Sequence, residues 1–231
     1  VWDVLQEVVS ARVAQTGRQA LDIVDVGGGT GGLAVPFAAL GHHVTVVDPS
    51  PDALAAAQRR AAEAGARLAS VQGDAASLDG VAGQAAADLV ICHNVLEYVD
   101  SPADAMSAIA RVLRPAATVS VLASNAVAAV LHRALAGRFA EARHLLAAEP
   151  SAQLSTSPRR FTLPELTVLI TEAGLRPGEA HGLRIFGGLV PGALLDGDAA
   201  ATEALRALEE AAASTPPLRD IAAQLHVLGH R

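Results

Sequence analysis

The chain has one cysteine, one methionine, one tryptophan and one tyrosine in 231 residues, and aromatic side chains make up only 3% of it. The lone thiol, Cys92, excludes an internal disulfide and any multi-cysteine zinc site, and it fits a reducing, cytoplasmic setting. It stands inside an apolar run and reads as a buried, inert side chain. No bound metal is expected. Hydrophobic residues nevertheless reach 51%, much of it alanine, which predicts small side chains and closely packed helices. No apolar run approaches the length of a membrane span and no signal peptide is visible, so no membrane partner is expected. Cations are outnumbered, 17 against 24 anions, for a net charge of −7. That balance excludes a broad surface that coats nucleic acid, although one local basic groove is compatible with it. The sequence opens at Val1, already inside a helix-like segment, and residues upstream of it are expected.

What the chain does have is glycine in one place. Asp25-Val26-Gly27-Gly28-Gly29-Thr30-Gly31-Gly32 follows the apolar run 21–24 and precedes the helix-like 33–40. Strand, tight turn and helix start bring backbone close to a ligand, because side chains at the turn would block the approach and the helix start offers free N–H groups. Gly27, Gly28 and Gly29 are therefore candidate binding residues. Gly27-x-Gly29-x-x-Gly32 also fits a dinucleotide fingerprint, which expects an acid about 20 residues on; Asp48, closing the strand-like 43–48, supplies one. The glycine run alone does not separate a dinucleotide enzyme from other nucleotide-like binders. Asp48 could equally cap the helix that begins near Pro51.

Around that turn, strand-like runs at 21–26, 43–48, 67–72, 87–93 and 117–123 alternate with helix-like runs at 3–15, 31–40, 51–64 and 102–113. This is the pattern of an α/β, Rossmann-like, doubly wound and mostly parallel sheet. Pro36 should bend its helix. Later, 126–149 reads as one helix with scattered basic residues, followed by a polar stretch, Ser151 to Arg160, that reads as a lid. A helix at 162–173, a strand near 181–187, a helix around 199–213 and a last strand around 222–228 complete the reading. No repeat or linker is visible, so a single domain over 1–231 is expected, with 126–160 as a cap on the substrate side.

Asp25 directly before the glycines, Gly73-Asp74-Ala75 after the third strand and the polar strand end His93-Asn94 together resemble the class I S-adenosylmethionine (SAM) methyltransferase family. The resemblance implies a seven-stranded sheet with an antiparallel C-terminal strand, SAM as cofactor and S-adenosylhomocysteine (SAH) as product. It implies that the glycine turn lies under the methionyl part of SAM and that Asp48 accepts from the ribose hydroxyls. Asp74 and Ala75 would then contact adenine, and His93 would stand beside the sulfonium. As an ordinary turn residue or a partly exposed strand-end histidine, Asp74 and His93 would have no such role. A non-catalytic SAM-binding protein is a further reading, and an NAD oxidoreductase is disfavoured by Asp25 and by Gly73-Asp74-Ala75.

The segments Asn94-Val95-Leu96-Glu97-Tyr98-Val99-Asp100-Ser101-Pro102, Ser124-Asn125-Ala126, His181-Gly182-Leu183-Arg184-Ile185-Phe186 and Gln224-Leu225-His226-Val227 are similar, in order and spacing, to the bacterial tRNA 5-carboxymethoxyuridine methyltransferases. That resemblance implies a tRNA partner and esterification of a carboxylate on a modified wobble uridine; a small-molecule acceptor is the alternative. The lysine-rich run of that family has no counterpart before Ser157-Pro158-Arg159-Arg160, nor does its N-terminal basic SAM contact before Val1. A carboxylate is already ionised at neutral pH, so no general base is needed, and none stands out. Arg159 and Arg160 suit an anionic acceptor because guanidinium groups grip carboxylates bidentately. His226 matches the family's closing histidine, which implies a substrate contact; as a satisfied sheet histidine it would have none. Arg184 is a further candidate for the acceptor and reads first as a partner of Glu179 or another acid, and Asn125 either faces the acceptor or caps the next helix.

Overall fold

A computed structural model describes residues 1–78, 80, 83–147, 158–190 and 199–231. Seven strands, β1 (Asp22–Val26), β2 (His43–Asp48), β3 (Ala69–Gln72), β4 (Ala87–His93), β5 (Leu113–Ser124), β6 (Arg176–Leu183) and β7 (Gln224–His230), form one sheet in the order β3-β2-β1-β4-β5-β7-β6. β1 pairs in parallel with β2 and β4, and β2 with β3. β7 runs antiparallel to β5: Ala116 N–H bonds to Arg231 near one end of the pair, and Asn125 N–H to Ala223 near the other. The helices are α1 (Trp2–Thr16), α2 (Ala34–Ala39), α3 (Pro51–Glu63), α4 (Pro102–Val112), α5 (Ala126–Leu135), α6 (Phe139–Ala147), α7 (Leu163–Glu172) and α8 (Ala199–Ala212). The architecture is the expected α/β one, with an antiparallel C-terminal strand pair.

By contact density the chain divides into two compact units, one of residues Val1–Val121, Thr167–Gly178 and Leu228–Arg231, the other of Leu122–Leu166 and Glu179–Val227. The expected 126–160 cap falls wholly within the second, and residues 148–157 of it, which hold most of the expected lid, lie outside the described residues.

In the first unit the central strands β1 and β4 are buried on both faces, as parallel strands covered on two sides are. Leu21, Ile23, Leu89 and Ile91 join Val44, Val46 and Phe37 in one buried cluster. Leu5 and Val9 of α1 pack into it, and Trp2 lies on Phe37 with ring centroids 4.7 Å apart. At the N-terminal ends of β1 and β4, the buried Asp88 accepts from Arg12 (3.1 Å), Arg18 (2.7 Å) and Arg114 (2.8 Å), pinning α1 and β5 to the strand. Pro36 does not bend its helix in mid-course: α2 begins at Ala34, so the proline falls in the first turn, where its missing N–H has no intrahelical partner to lose.

Most boundaries fall within three residues of the sequence reading, and the larger differences have local causes. The expected 126–149 helix is two: Gly137 takes φ 73, a left-handed conformation that ends α5 and turns the chain into α6. β5 is longer than expected and follows α4 without a loop. β6 occupies Arg176–Leu183 rather than 181–187. An edge strand tolerates the Pro177 and Gly178 that argue against a strand there. It stops at Leu183 because Arg184 has φ 55, and the next three N–H groups, of Ile185, Phe186 and Gly187, all donate to the Glu209 carboxylate of α8.

Candidate active site

The parallel strands of the first unit all end at one edge, and a cavity of about 540 Å³ opens there. Open α/β sheets bind ligands at this carboxyl edge. Val26 and Gly27 reach it from β1, Val47 and Asp48 from β2, and Gly73 to Ala76 from the turn after β3. After β4 come Asn94 and Val95, then Tyr98 to Ser101, with Asp104 from α4.

Gly27 has φ 63, and a Cβ there would lie 2.4 Å from Val95 Cγ2, so both conformation and space demand glycine. Gly28 has no such backbone need; its Cβ would meet Asp25 Oδ2 at 2.6 Å. Gly29 N–H donates to Asp48 Oδ2 at 2.9 Å, and Ser50 N–H donates to Asp48 Oδ1 at 2.9 Å. Of the three candidate glycines only Gly27 lines the cavity; Gly28 and Gly29 shape the turn behind it. Asp48 is not the α3 cap, which is Ser50, accepting from Ala53 N–H. Asp25 is buried beneath the turn, where loss of solvent and then the charge of Asp48 push its pKa up to about 7.

Asp74 caps the 3₁₀ turn Ala75–Ser77, its Oδ1 accepting from the N–H groups of Ala76 and Ser77 and from the Ser77 hydroxyl. Those bonds from Ser77 and Ala76 hold its pKa below the usual carboxylate range. It lines the cavity together with Ala75, so the turn role and the cavity position coexist. His93 does not line it: Nε2 lies 2.7 Å from Ser120 Oγ on β5, and burial pushes its pKa down to about 4, leaving a neutral imidazole. The next residue, Asn94, takes φ 56 and carries the chain into the cavity wall.

Sequence reasoning missed the stretch from Tyr98 to Asp104. One signal was available, because an aromatic is scarce in this chain and Tyr98 is 72% exposed at the cavity. The described lining carries four carboxylates, Asp48, Asp74, Asp100 and Asp104, and no arginine or histidine. Such a wall accepts hydroxyl and amino donors and favours a cationic ligand, and it repels the pyrophosphate of a dinucleotide. A nucleoside bearing a sulfonium and an ammonium group fits this donor set.

The remaining candidates belong to the second unit. Arg159 and Arg160 are half-buried beside Phe161, whose N–H donates to Ser124 O (2.9 Å) and whose carbonyl accepts from Ala126 N–H (3.0 Å), fixing that segment at the exit of β5. His226 is fully buried, its ring stacked on His181 with centroids 5.6 Å apart, which is the setting of the sheet-histidine reading. Arg184 is exposed and donates to Gln224 Oε1 (3.0 Å), not to Glu179, which lies 3.8 Å from His181. Asn125 caps α5 by accepting from Val127 N–H and donates to the carbonyls of Asp220 (2.8 Å) and Ala222 (2.7 Å), which makes it a structural clamp. Among the described residues no group of three or more His, Cys, Asp or Glu is placed to hold a metal, and no helix is long and apolar enough to cross a membrane.

Residues 24–121 match the methyltransferase domain family. The chain belongs to the class I SAM-dependent methyltransferases, enzymes that use SAM as methyl donor. It is 31% identical to the tRNA 5-carboxymethoxyuridine methyltransferase of Escherichia coli (strain K12), over 80% of this chain and 70% of that one. It is 29% identical to the ubiquinone biosynthesis O-methyltransferase of Xylella fastidiosa (strain 9a5c), over 77% of this chain and 69% of that one. In fold it is similar to magnesium protoporphyrin IX methyltransferase from Synechocystis PCC 6803 solved with bound SAH, with a TM-score of 0.61 and 16% identity over 98% of this chain and 82% of that one.

Proposed function

We propose that this methyltransferase esterifies a carboxylate on a modified wobble uridine of tRNA. The observation that carries the reading is the similarity to the E. coli tRNA enzyme along four-fifths of the chain. When bound, SAM supplies a methyl group on a positively charged sulfur. Asp48 would hold the ribose hydroxyls, Asp74 and the Ala75 N–H the adenine, and the turn Gly27-Gly28-Gly29 the methionyl part; Gly27, Asp48, Asp74 and Ala75 lining one cavity supports this set. His93, neutral and bonded to Ser120, would act behind the wall, by holding β4 against β5 rather than as a cofactor contact.

On the acceptor side we assign Arg159 and Arg160, supported by the anchoring of Phe161 at the exit of β5. His226 would position His181 instead of touching the acceptor. Residues 126–160 would form the acceptor-side cap of a single functional domain. No residue need remove a proton from a carboxylate at neutral pH, so the chain's task is alignment and exclusion of water, which supply several kcal/mol, on the order of 7 or more when the geometry is right. The reaction is assigned to the reducing cytoplasm, in keeping with the single buried thiol of Cys92.

A small-molecule acceptor is the second reading, favoured by the similarity to the Xylella O-methyltransferase over a comparable length. The test supplies methyl-labelled SAM with tRNA bearing carboxymethoxyuridine and, separately, with a small-metabolite extract. A methyl ester on that nucleoside, seen by mass spectrometry, is the expected result. Label entering only the metabolite pool transfers the assignment to small molecules, and no label in either pool favours a protein that binds SAM without turnover.

A further inference from the structure

The helical hairpin of the second unit is unlike the rest of the chain in charge. Residues 126–147 carry Arg133, Arg138 and Arg143, with His132 and His144, against one acid, Glu141, in a protein of net charge −7. Every cationic residue of the Lys+Arg count is arginine; the chain has no lysine.

At its outer end this hairpin also exposes apolar groups. Phe139 is 71% exposed and Leu146 76%, in a chain that has four phenylalanines in all. Phe139, Arg143 and Leu146 follow at spacings of four and three and so share one face of α6, bordered by the buried Ala142. Arg138, in the turn before α6, has its side chain 63% exposed beside Phe139. Glu141 engages Arg133 at 3.4 Å and reaches Arg138 only at 3.9 Å, and no ion pair is recorded for Arg143 among the described residues.

We propose that Arg138, Phe139, Arg143 and Leu146 form a docking surface for a single-stranded RNA loop; the proposal rests on the tRNA reading above and deepens it. Guanidinium groups bind phosphates bidentately and stack on bases, which ammonium groups do not. An exposed phenylalanine beside them offers the ring on which an unpaired base stacks. From Phe139 to Leu146 the helix rises roughly 10 Å, enough for a short run of nucleotides. With three arginines against one acid, the hairpin is complementary in charge to RNA, in line with a local basic site on an acidic protein.

The test measures binding of a labelled, unmodified anticodon stem-loop RNA to the full chain by fluorescence anisotropy at several salt concentrations. Wild type is compared with Arg138→Glu/Arg143→Glu and with Phe139→Ala. The double charge reversal should lower RNA affinity at least tenfold and flatten the salt dependence by about one to two phosphate contacts. Phe139→Ala should lower it about fivefold or more. Both variants should keep wild-type SAH affinity and melting temperature, which shows that they fold. Wild-type RNA affinity in both variants overturns the docking surface while leaving tRNA methylation untouched. A dimer that these substitutions split, with RNA binding unchanged, also overturns it and makes the face a contact between two copies. If wild type binds no RNA, the surface is refuted. RNA binding that depends on these residues without methylation of tRNA upholds the surface and refutes the esterification reading alone.

Discussion

Asp48 Oδ2 accepts the N–H of Gly29 at 2.9 Å, so the acid that closes β2 also holds the glycine turn that follows β1. Its other oxygen accepts from Ser50 N–H at the same distance, ahead of α3. One carboxylate thus organises two strand ends of the cavity as well as lining it.

Replacing Asp48 should therefore act on both cofactor and turn. Asp48→Ala is expected to weaken SAH binding at least tenfold, since each hydrogen bond to a charged acceptor contributes about 1.5–3 kcal/mol. Asp48→Asn, which retains an acceptor oxygen, should lose less. Calorimetric titration with SAH decides it: a folded Asp48→Ala protein with wild-type affinity would show that the ribose is held elsewhere.

Gly27→Ala tests the cradle itself. Its Cβ would stand 2.4 Å from Val95 Cγ2, and its φ of 63 strains any L side chain. SAH binding should fall below detection in the single variant. Adding Val95→Ala removes the collision but not the strain, so the double variant should recover part of the affinity. Full recovery would mean that space alone makes this position glycine.

Asp25 predicts a pH dependence. Its pKa is about 7 in the folded state, raised first by burial and then by Asp48, against 3.8 for the unperturbed group. Between those values the folded protein holds a proton that the unfolded chain has released, so stability falls as pH rises from about 4 to 7, by at most about 1.4 kcal/mol per pH unit. Asp25→Asn removes that slope. Urea midpoints at pH 4.5 and 7.5 should show the variant gaining on wild type at the higher pH; parallel midpoints would mean that Asp25 ionises normally.

Asp88→Asn should destabilise without touching the site. The variant leaves Arg12, Arg18 and Arg114 facing a neutral amide at a buried position. Because Arg18 and Arg114 are partly exposed and keep Asp22, the loss should be about 1–3 kcal/mol. Chemical denaturation should register that loss, while SAH affinity at 20 °C below the melting transition stays at the wild-type value. A loss in affinity without a loss in stability would tie this cluster to the cavity.

The first half of the fold was legible because its signals are local. Apolar runs at β1, β2 and β4, the glycine turn and the terminal acids Asp48 and Asp74 each announce themselves within a few residues. What the sequence hid depends on distant partners. The end of β6 is set by Glu209, more than twenty residues away, drawing three N–H groups off the strand. Asn125 reads locally as an acceptor contact or a helix cap, and the cap it makes is joined by bonds to the carbonyls of Asp220 and Ala222, which no local pattern encodes. His226 carries a family motif, yet its place inside the sheet against His181 is a matter of packing that no local pattern encodes. Tyr98 sits within a family motif, and only its scarcity as an aromatic marks it out as an exposed residue of the cavity.

Gly28 has an ordinary backbone and is constrained only by its neighbours, since a Cβ there would lie 2.6 Å from Asp25 Oδ2 and 3.0 Å from Val46 Cγ1. A side chain at 28 therefore demands that the Asp25 carboxylate give way and that Val46 yield by a few tenths of an ångström, so the room beneath the turn is shared between positions 25, 28 and 46.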